Sequence, residues 1–292
     1  MPVGSASATI YYIGDMMIYS LLGPLRMTNN GAESTIGAHK VEVLLATLLI
    51  RTGRVVSTDR LIGEIWPDRP PRRAMAALHV YVSTLRKLLA EHRQRHTTIV
   101  TSAPGYLFEL GSGEVDFRLF LDLLGQGRAA LREHRYEQAD EMLERALALW
   151  RGPVLGGHEY GPMMSEFARS LTEQRTECQE LYVESKHRLG EHRQTIGLLH
   201  SLIGENPFHE TFHRQLMLAL YHSERKADAL NVYRAAHRLF LDELGLPPCE
   251  ALRNAHSAIL ADDRGLLNTV RLPELEPARR YSGQRTVGQV ID

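Results

Sequence analysis
A mainly α protein in two unlike halves is what this sequence predicts, on three observations. Residues 17–110 alternate short β-like runs with helical ones, whereas Val115 to Leu260 keeps helical periodicity almost throughout, with Gly and Pro at its breaks. The stretch Pro70 to Leu89 has two opposed faces. Ala74, Leu78, Tyr81, Val82, Leu85, Leu88 and Leu89 recur at spacings of three and four, and Arg72, His79, Ser83, Arg86 and Lys87 fall opposite. The charge divides the same way. Met17 to Leu110 holds twelve Lys/Arg against seven Asp/Glu, and Gly111 to Asp262 holds seventeen against twenty-three. A basic half suggests nucleic acid as its partner; an acidic half suggests something else.

Bulk properties narrow the field. With 292 residues, 43% hydrophobic and 24% charged, the chain is an ordinary globular protein with material for two cores. Cys178 and Cys249 lack metal-ligand spacing and read as free thiols of a reducing cytoplasm. No basic residue precedes Arg26, and Asp15 interrupts the N-terminal apolar stretch, so no signal peptide is expected. The strongly apolar run Val43 to Ile50 falls far short of a membrane span. A cytoplasmic protein with no membrane partner is expected.

The elements follow in order. Residues 1–15 read as a leader. Met17 to Met27 reads as strand, turn, strand, and Asn29-Asn30-Gly31 as a turn. His39 to Thr52 is a first helix, with Val41, Leu44, Leu45, Leu48 and Leu49 toward the core and Gly53 as its stop. Ser57 or Thr58 caps a second helix, Asp59 to Trp66, which Pro67 ends. Pro70 opens the third helix at its first turn. Thr97 to Ser102 and Tyr106 to Leu110 are strands joined by Ala103-Pro104-Gly105. Three helices and a closing hairpin over residues 16–111 make a winged helix-turn-helix, with the third helix in the groove of double-stranded DNA and the hairpin as wing.

Residues 112–262 read as an all-α, tetratricopeptide-like domain. Asp122 to Arg132 and Tyr136 to Trp150 form an antiparallel pair about His134-Arg135. Ala139 and Leu143, Thr195 and Leu199, and Ala229 and Tyr233 repeat one four-residue spacing just after a turn. The last two sets lie 34 residues apart, a tetratricopeptide period, and an insertion near Gly152 to Phe167 separates the first. Such repeats stack into a groove for peptides or helices. Residues 263–292 read as a flexible tail.

These residues carry a family resemblance. Leu22-Gly23-Pro24-Leu25, Leu61-Ile62-Gly63-Glu64-Ile65-Trp66, Tyr81 to Leu88 and Pro104-Gly105-Tyr106 together resemble the OmpR-like winged-helix domain of the Streptomyces antibiotic regulatory proteins. That domain is kin to the effector domains of two-component systems. Ala146 to Gly152, Leu216 to Tyr221 and Leu241 to Gly245 resemble the bacterial transcriptional activation domain of the same family. The resemblance covers residues 17–262. It implies a transcription activator of an antibiotic or secondary-metabolite cluster, bound to promoter direct repeats as two protomers side by side. It also implies recruitment of RNA polymerase through its sigma factor and alpha subunit. Where wings of this family often present an Arg, this chain has Ser102, which shifts affinity toward the third helix.

The candidate DNA-binding residues divide by chemistry. Arg72 and Arg73 reach phosphate at the helix N-terminus, and Lys40 adds a phosphate contact from the first helix. His79, Val80, Ser83 and Thr84 face the groove floor, and Arg86 and Lys87 touch base or backbone. Ser102 marks the wing.

His209-Glu210-Thr211-Phe212-His213 matches the H-E-x-x-H zinc-peptidase pattern. It sits directly after Asn206-Pro207 at the start of a repeat helix, and no third ligand follows at a clear spacing, so no metal site is expected. Gly37-Ala38-His39-Lys40 lacks the Walker spacing. No Ser/His/Asp or Cys/His constellation is recognisable, and neither catalysis nor a cofactor is expected. Trp150 reads as core; Arg135, Arg193 and Arg225 read as solvated or helix-capping. The competing readings are a protein-binding scaffold whose first domain avoids DNA, which the basic first half disfavours, and a metallopeptidase.

Overall fold
The computed structural model describes residues 17–91, 98–157 and 160–263. The expected leader, and the expected tail beyond Asp263, lie outside them. The mainly α class is present in the expected order: a winged-helix region with small sheets, then helices alone.

Strands β1 (Met17–Ser20), β2 (Arg26–Asn29) and β3 (Ala32–Ser34) form an antiparallel meander. Its second turn holds Asn30 and Gly31 at φ 48° and 81°, the geometry for which Asn-Gly is suited. Helix α1 (His39–Ile50) is buried on nearly every side rather than along the single stripe expected. Strand β4 (Val56–Ser57) leads into α2 (Thr58–Ile65), which the Ser57 hydroxyl caps by accepting from the Arg60 N–H.

Helix α3 spans Ala74–Glu91. Pro70 and Pro71 precede it instead of opening it. A residue before proline is pushed out of the helical region, and the Ala74 N–H closes on the Pro71 carbonyl at 3.0 Å. Strands β5 (Thr98–Ser102) and β6 (Gly105–Glu109) form the wing hairpin, in a sheet ordered β4-β6-β5. Gly105 is required where β6 crosses β4: a Cβ there would lie 1.8 Å from the Val56 carbonyl oxygen. Strand β7 (Glu114–Val115) returns to pair in parallel with β1.

The remaining elements are helical: α4 (Asp116–Arg132), α5 (Tyr136–Ala148), α6 (Pro162–Arg188), α7 (His192–Glu205), α8 (Glu210–His222), α9 (Lys226–Leu244) and α10 (Glu250–Ala261). Between α5 and α6, Val154–Gly157 form a 3-10 turn inside the expected insertion. The first compact unit runs to Leu189 and the second begins at Gly190. At the repeat positions Ala139, Thr195 and Ala229 are buried, together with Leu143 and Leu199. Close crossing of α4 and α5 falls at Gly127, where a Cβ would meet Leu143 at 2.6 Å. Trp150 is half-buried rather than core, its ring edge-on to Phe120 and beneath the Arg175 guanidinium.

Within the first unit, the winged helix is tied to the helices that follow it by buried acids. The Asp116 carboxylate accepts the Leu21 and Leu22 N–H groups at 2.8 and 3.0 Å. The Glu64 carboxylate accepts those of Met163 and Met164 at 2.8 and 3.2 Å, capping the 27-residue α6 at its positive end. Two motif fragments also meet. The Arg151 N–H donates to the Leu22 carbonyl at 2.7 Å, and the Arg151 guanidinium donates to Pro24 O at 3.2 Å. Gly23, at φ 149°, allows this approach; its Cβ would fall 2.9 Å from that of Arg151.

Candidate nucleic-acid interface
The third helix presents the two faces its sequence requires. Ala74, Leu78, Val82, Leu85 and Leu89 are buried, with Tyr81 and Leu88 half-buried beside them. Tyr81 stacks on Trp66 at the end of α2, and the Lys40 ammonium lies 5.1 Å from the Trp66 ring centroid. Lys40 is therefore held beside the helix-turn-helix from the start of α1, and it remains exposed.

The opposite face is open. His79, Val80, Ser83, Thr84 and Lys87 are all exposed along α3, and Arg72 and Arg73 are exposed in the turn before it. Cations thus stand at both ends of a run of short side chains. The arginines sit where the helix dipole is positive, which adds to the positive potential at that end of the face. Positive charge therefore flanks a run of side chains short enough for base edges to approach, the pattern expected of a groove-facing helix.

Arg86 is differently engaged. Its Nε donates to the Ile99 carbonyl and its Nη2 to the Thr101 hydroxyl, both at 2.9 Å, and its guanidinium lies 6.0 Å from the Tyr106 ring centroid. These partners are on the wing, so Arg86 joins the helix to the hairpin. Ser102 is half-buried, paired with Gly105 across the turn. The wing tip is fastened from the other side, where the Thr58 N–H donates to Pro104 O at 3.1 Å. Sequence reading missed Thr101, Thr58 and Tyr106 as wing fasteners, because strand register decides which of them meet the helix. It also missed Met75 and Ala76, both exposed near the start of the open face.

The H-E-x-x-H segment has other tasks. Glu210 accepts the Cys249 N–H at 2.6 Å at the start of α10. His213 is buried, and its Nε2–H donates to the Pro207 carbonyl at 2.8 Å. His209 stacks on Phe212. Among the described residues, no group of three metal-ligating side chains converges. Cys178 is buried, and burial pushes its thiol up to about 12; Cys249 is exposed. Arg225 pairs with Asp228 at 2.7 Å, and Arg135 with Glu133 and Gln138, beside their helix starts.

A winged helix whose third helix carries an open, cation-flanked face and is braced to the wing, followed in the chain by helical hairpins, is the architecture of a DNA-binding transcriptional regulator. Comparison with known proteins identifies the kind. Residues 35–108 match the family described as transcriptional regulatory protein, C terminal, and residues 115–260 match the bacterial transcriptional activator domain. The chain is 36% identical to the transcriptional regulator RedD of Streptomyces coelicolor, over 87% of this chain and 73% of RedD. It is 35% identical to the transcriptional regulatory protein EmbR of Mycobacterium tuberculosis, over 83% of this chain and 63% of EmbR. It is 34% identical to the regulatory protein AfsR of Streptomyces coelicolor, over 85% of this chain but only 24% of AfsR. A solved structure of Mycobacterium tuberculosis EmbR in complex with a low affinity phosphopeptide superposes with a TM-score of 0.79 at 32% identity. It covers 87% of this chain and 69% of that one. The chain belongs to the Streptomyces antibiotic regulatory protein family. These relatives are transcriptional regulators, and no described helix is long and apolar enough to cross a membrane.

Proposed function
We propose that this protein is a pathway-specific activator of a secondary-metabolite gene cluster. Two protomers sit side by side on promoter direct repeats, and residues 112–262 recruit RNA polymerase through its sigma factor and alpha subunit. Residues 16–111 carry the DNA contacts. The observation that supports this best is the open face of α3, with Arg72 and Arg73 at one end and Lys87 at the other. The likeness to RedD supports the kind of regulation, and the acidic excess of the second half suits basic polymerase surfaces.

The test is a footprint on promoters neighbouring the gene, followed by binding titrations across salt. Two protected direct repeats are expected. Four phosphate-binding cations per protomer (Arg72, Arg73, Lys87 and Lys40) give a slope of log affinity on log salt of about −3.6 per protomer, from ~0.9 for each phosphate. Absence of any protected segment, or a slope near zero, overturns the reading. Run-off transcription with purified polymerase tests recruitment: the full chain raises transcript yield, and Lys87→Ala removes that gain.

A further inference from the structure
The open face of α3 has an apolar centre that the protein's own fold does not use. Val80 is 60% exposed in mid-helix, more than any other large apolar side chain among the described residues of the winged helix, and Met75, five residues before it, is 41% exposed. A β-branched residue is a weak helix former, and an exposed one gains nothing from burial. Ala76, Val80 and Thr84 follow at intervals of four, so they form one row along the surface. Thr84 has its hydroxyl donated to the Val80 carbonyl at 3.0 Å. That commits its hydroxyl proton and leaves the oxygen as an acceptor only, with the γ-methyl beside it on the same exposed residue. The row is thus three methyl-bearing side chains spanning about 12 Å at a rise of 1.5 Å per residue.

In a major groove only one base carries a matching group, the 5-methyl of thymine. A span of about 12 Å covers roughly three base-pair steps of 3.4 Å. Exposed cations stand at both ends of the same face, Arg72 and Arg73 before the row and Lys87 after it. His79 and Ser83 are the neighbours left to hydrogen-bond base edges, and the row itself offers no Arg, Asn or Gln for bidentate readout.

We infer that the Ala76–Val80–Thr84 row reads thymine 5-methyl groups, and that Val80 sets specificity for thymine over cytosine at the centre of each half-site. The inference rests on the DNA-binding reading above. Thymine methyls facing the row lose their water on binding, and each contributes about the value of one buried methyl group.

The experiment uses the full chain and duplexes recovered from a random pool by in vitro selection. Each thymine of the recovered site is replaced in turn by deoxyuridine, which removes the methyl and keeps every hydrogen-bonding group. Wild-type protein is expected to lose about three- to fivefold in affinity at one to three adjacent positions. Val80→Ala, which alters an exposed side chain, is expected to bind the thymine duplex more weakly and to bind thymine and deoxyuridine duplexes alike at the central position. Equal wild-type affinity for both duplexes at every position overturns the inference while DNA binding stands. Failure of wild-type protein to recover any duplex overturns the DNA-binding reading and this inference with it.

Discussion
Replacing Arg86 separates two jobs that one side chain in a DNA-binding face can do. Read from the sequence, Arg86 touches DNA with Lys87. In the structure its Nε and Nη2 donate at 2.9 Å to Ile99 O and Thr101 Oγ1, which fixes the wing against α3. A hydrogen bond from a charged donor contributes about 1.5–3 kcal/mol when buried. Arg86 is exposed, so screening brings the pair down to about 1–2 kcal/mol in total. Arg86→Ala should therefore cost about tenfold in operator affinity, by loosening the wing, and should lower unfolding free energy by about 1 kcal/mol. The decisive quantity is the salt slope. A brace contributes no released counterion, so Arg86→Ala should leave the slope of log affinity on log salt unchanged, whereas Lys87→Ala should reduce it by about 0.9. Thr101→Val, which keeps the shape and removes the acceptor, should reproduce part of the Arg86 loss. Anisotropy titrations at four salt concentrations measure all three variants. A slope that falls by ~0.9 in Arg86→Ala would make Arg86 a phosphate contact and refute the brace.

Two further outcomes follow from the buried joints of the first unit. Burial pushes the Asp116 carboxyl up to about 6, against the opposing pull of the Leu21 and Leu22 N–H groups and of Arg151. A carboxyl whose folded value lies above its unfolded value of 3.8 gives stability that is complete below the unfolded value and lost as pH rises through about 6. The difference in unfolding free energy between wild type and Asp116→Asn should thus shrink by about 2 kcal/mol from pH 4.5 to 7.5, and a pH-independent difference in urea midpoints contradicts this. Gly105→Ala places a Cβ against the Val56 carbonyl at 1.8 Å, a backbone clash that only strand separation relieves. It should cost at least about 2 kcal/mol and abolish operator binding together with hydrogen-exchange protection of the hairpin; retention of both would show that the strands part without loss.

What the sequence made legible was local. The two faces of α3 follow from spacing alone, the β2–β3 turn from Asn-Gly, and the end of α2 from Pro67. What it left hidden depended on chain pairs far apart. Glu64 caps α6 across 99 residues and Asp116 holds the Leu21–Leu22 backbone across 95. A signal did exist: Glu64 shares a helix face with Leu61 and Ile65, and Asp116 lies one turn before Phe120 on the buried stripe of α4. An acid on an apolar stripe has to find buried donors, because an unpaired carboxylate there is too costly. The periodicity of α1 likewise gave one buried stripe, because its second covered side depends on α6.

That second side bears on function. Helix α1 packs on α3 through its core face, while Thr47 meets Met164 Sδ at 3.1 Å and Arg51 meets Met163 Sδ at 3.3 Å on the side toward α6. The same Met163 and Met164 donate their N–H groups to Glu64 on α2. Both helices that support α3 are thus seated on the first turn of α6, in one compact unit. Interiors this closely packed transmit displacement instead of absorbing it. The fragments Leu22-Gly23-Pro24 and Trp150-Arg151-Gly152, which look unrelated in the sequence, close the same unit through the Arg151 to Leu22 bond. The orientation of α3 is therefore set by residues on both sides of the β7 strand, and a winged helix cut at residue 111 loses the seat of α1 and α2 along with the activation helices.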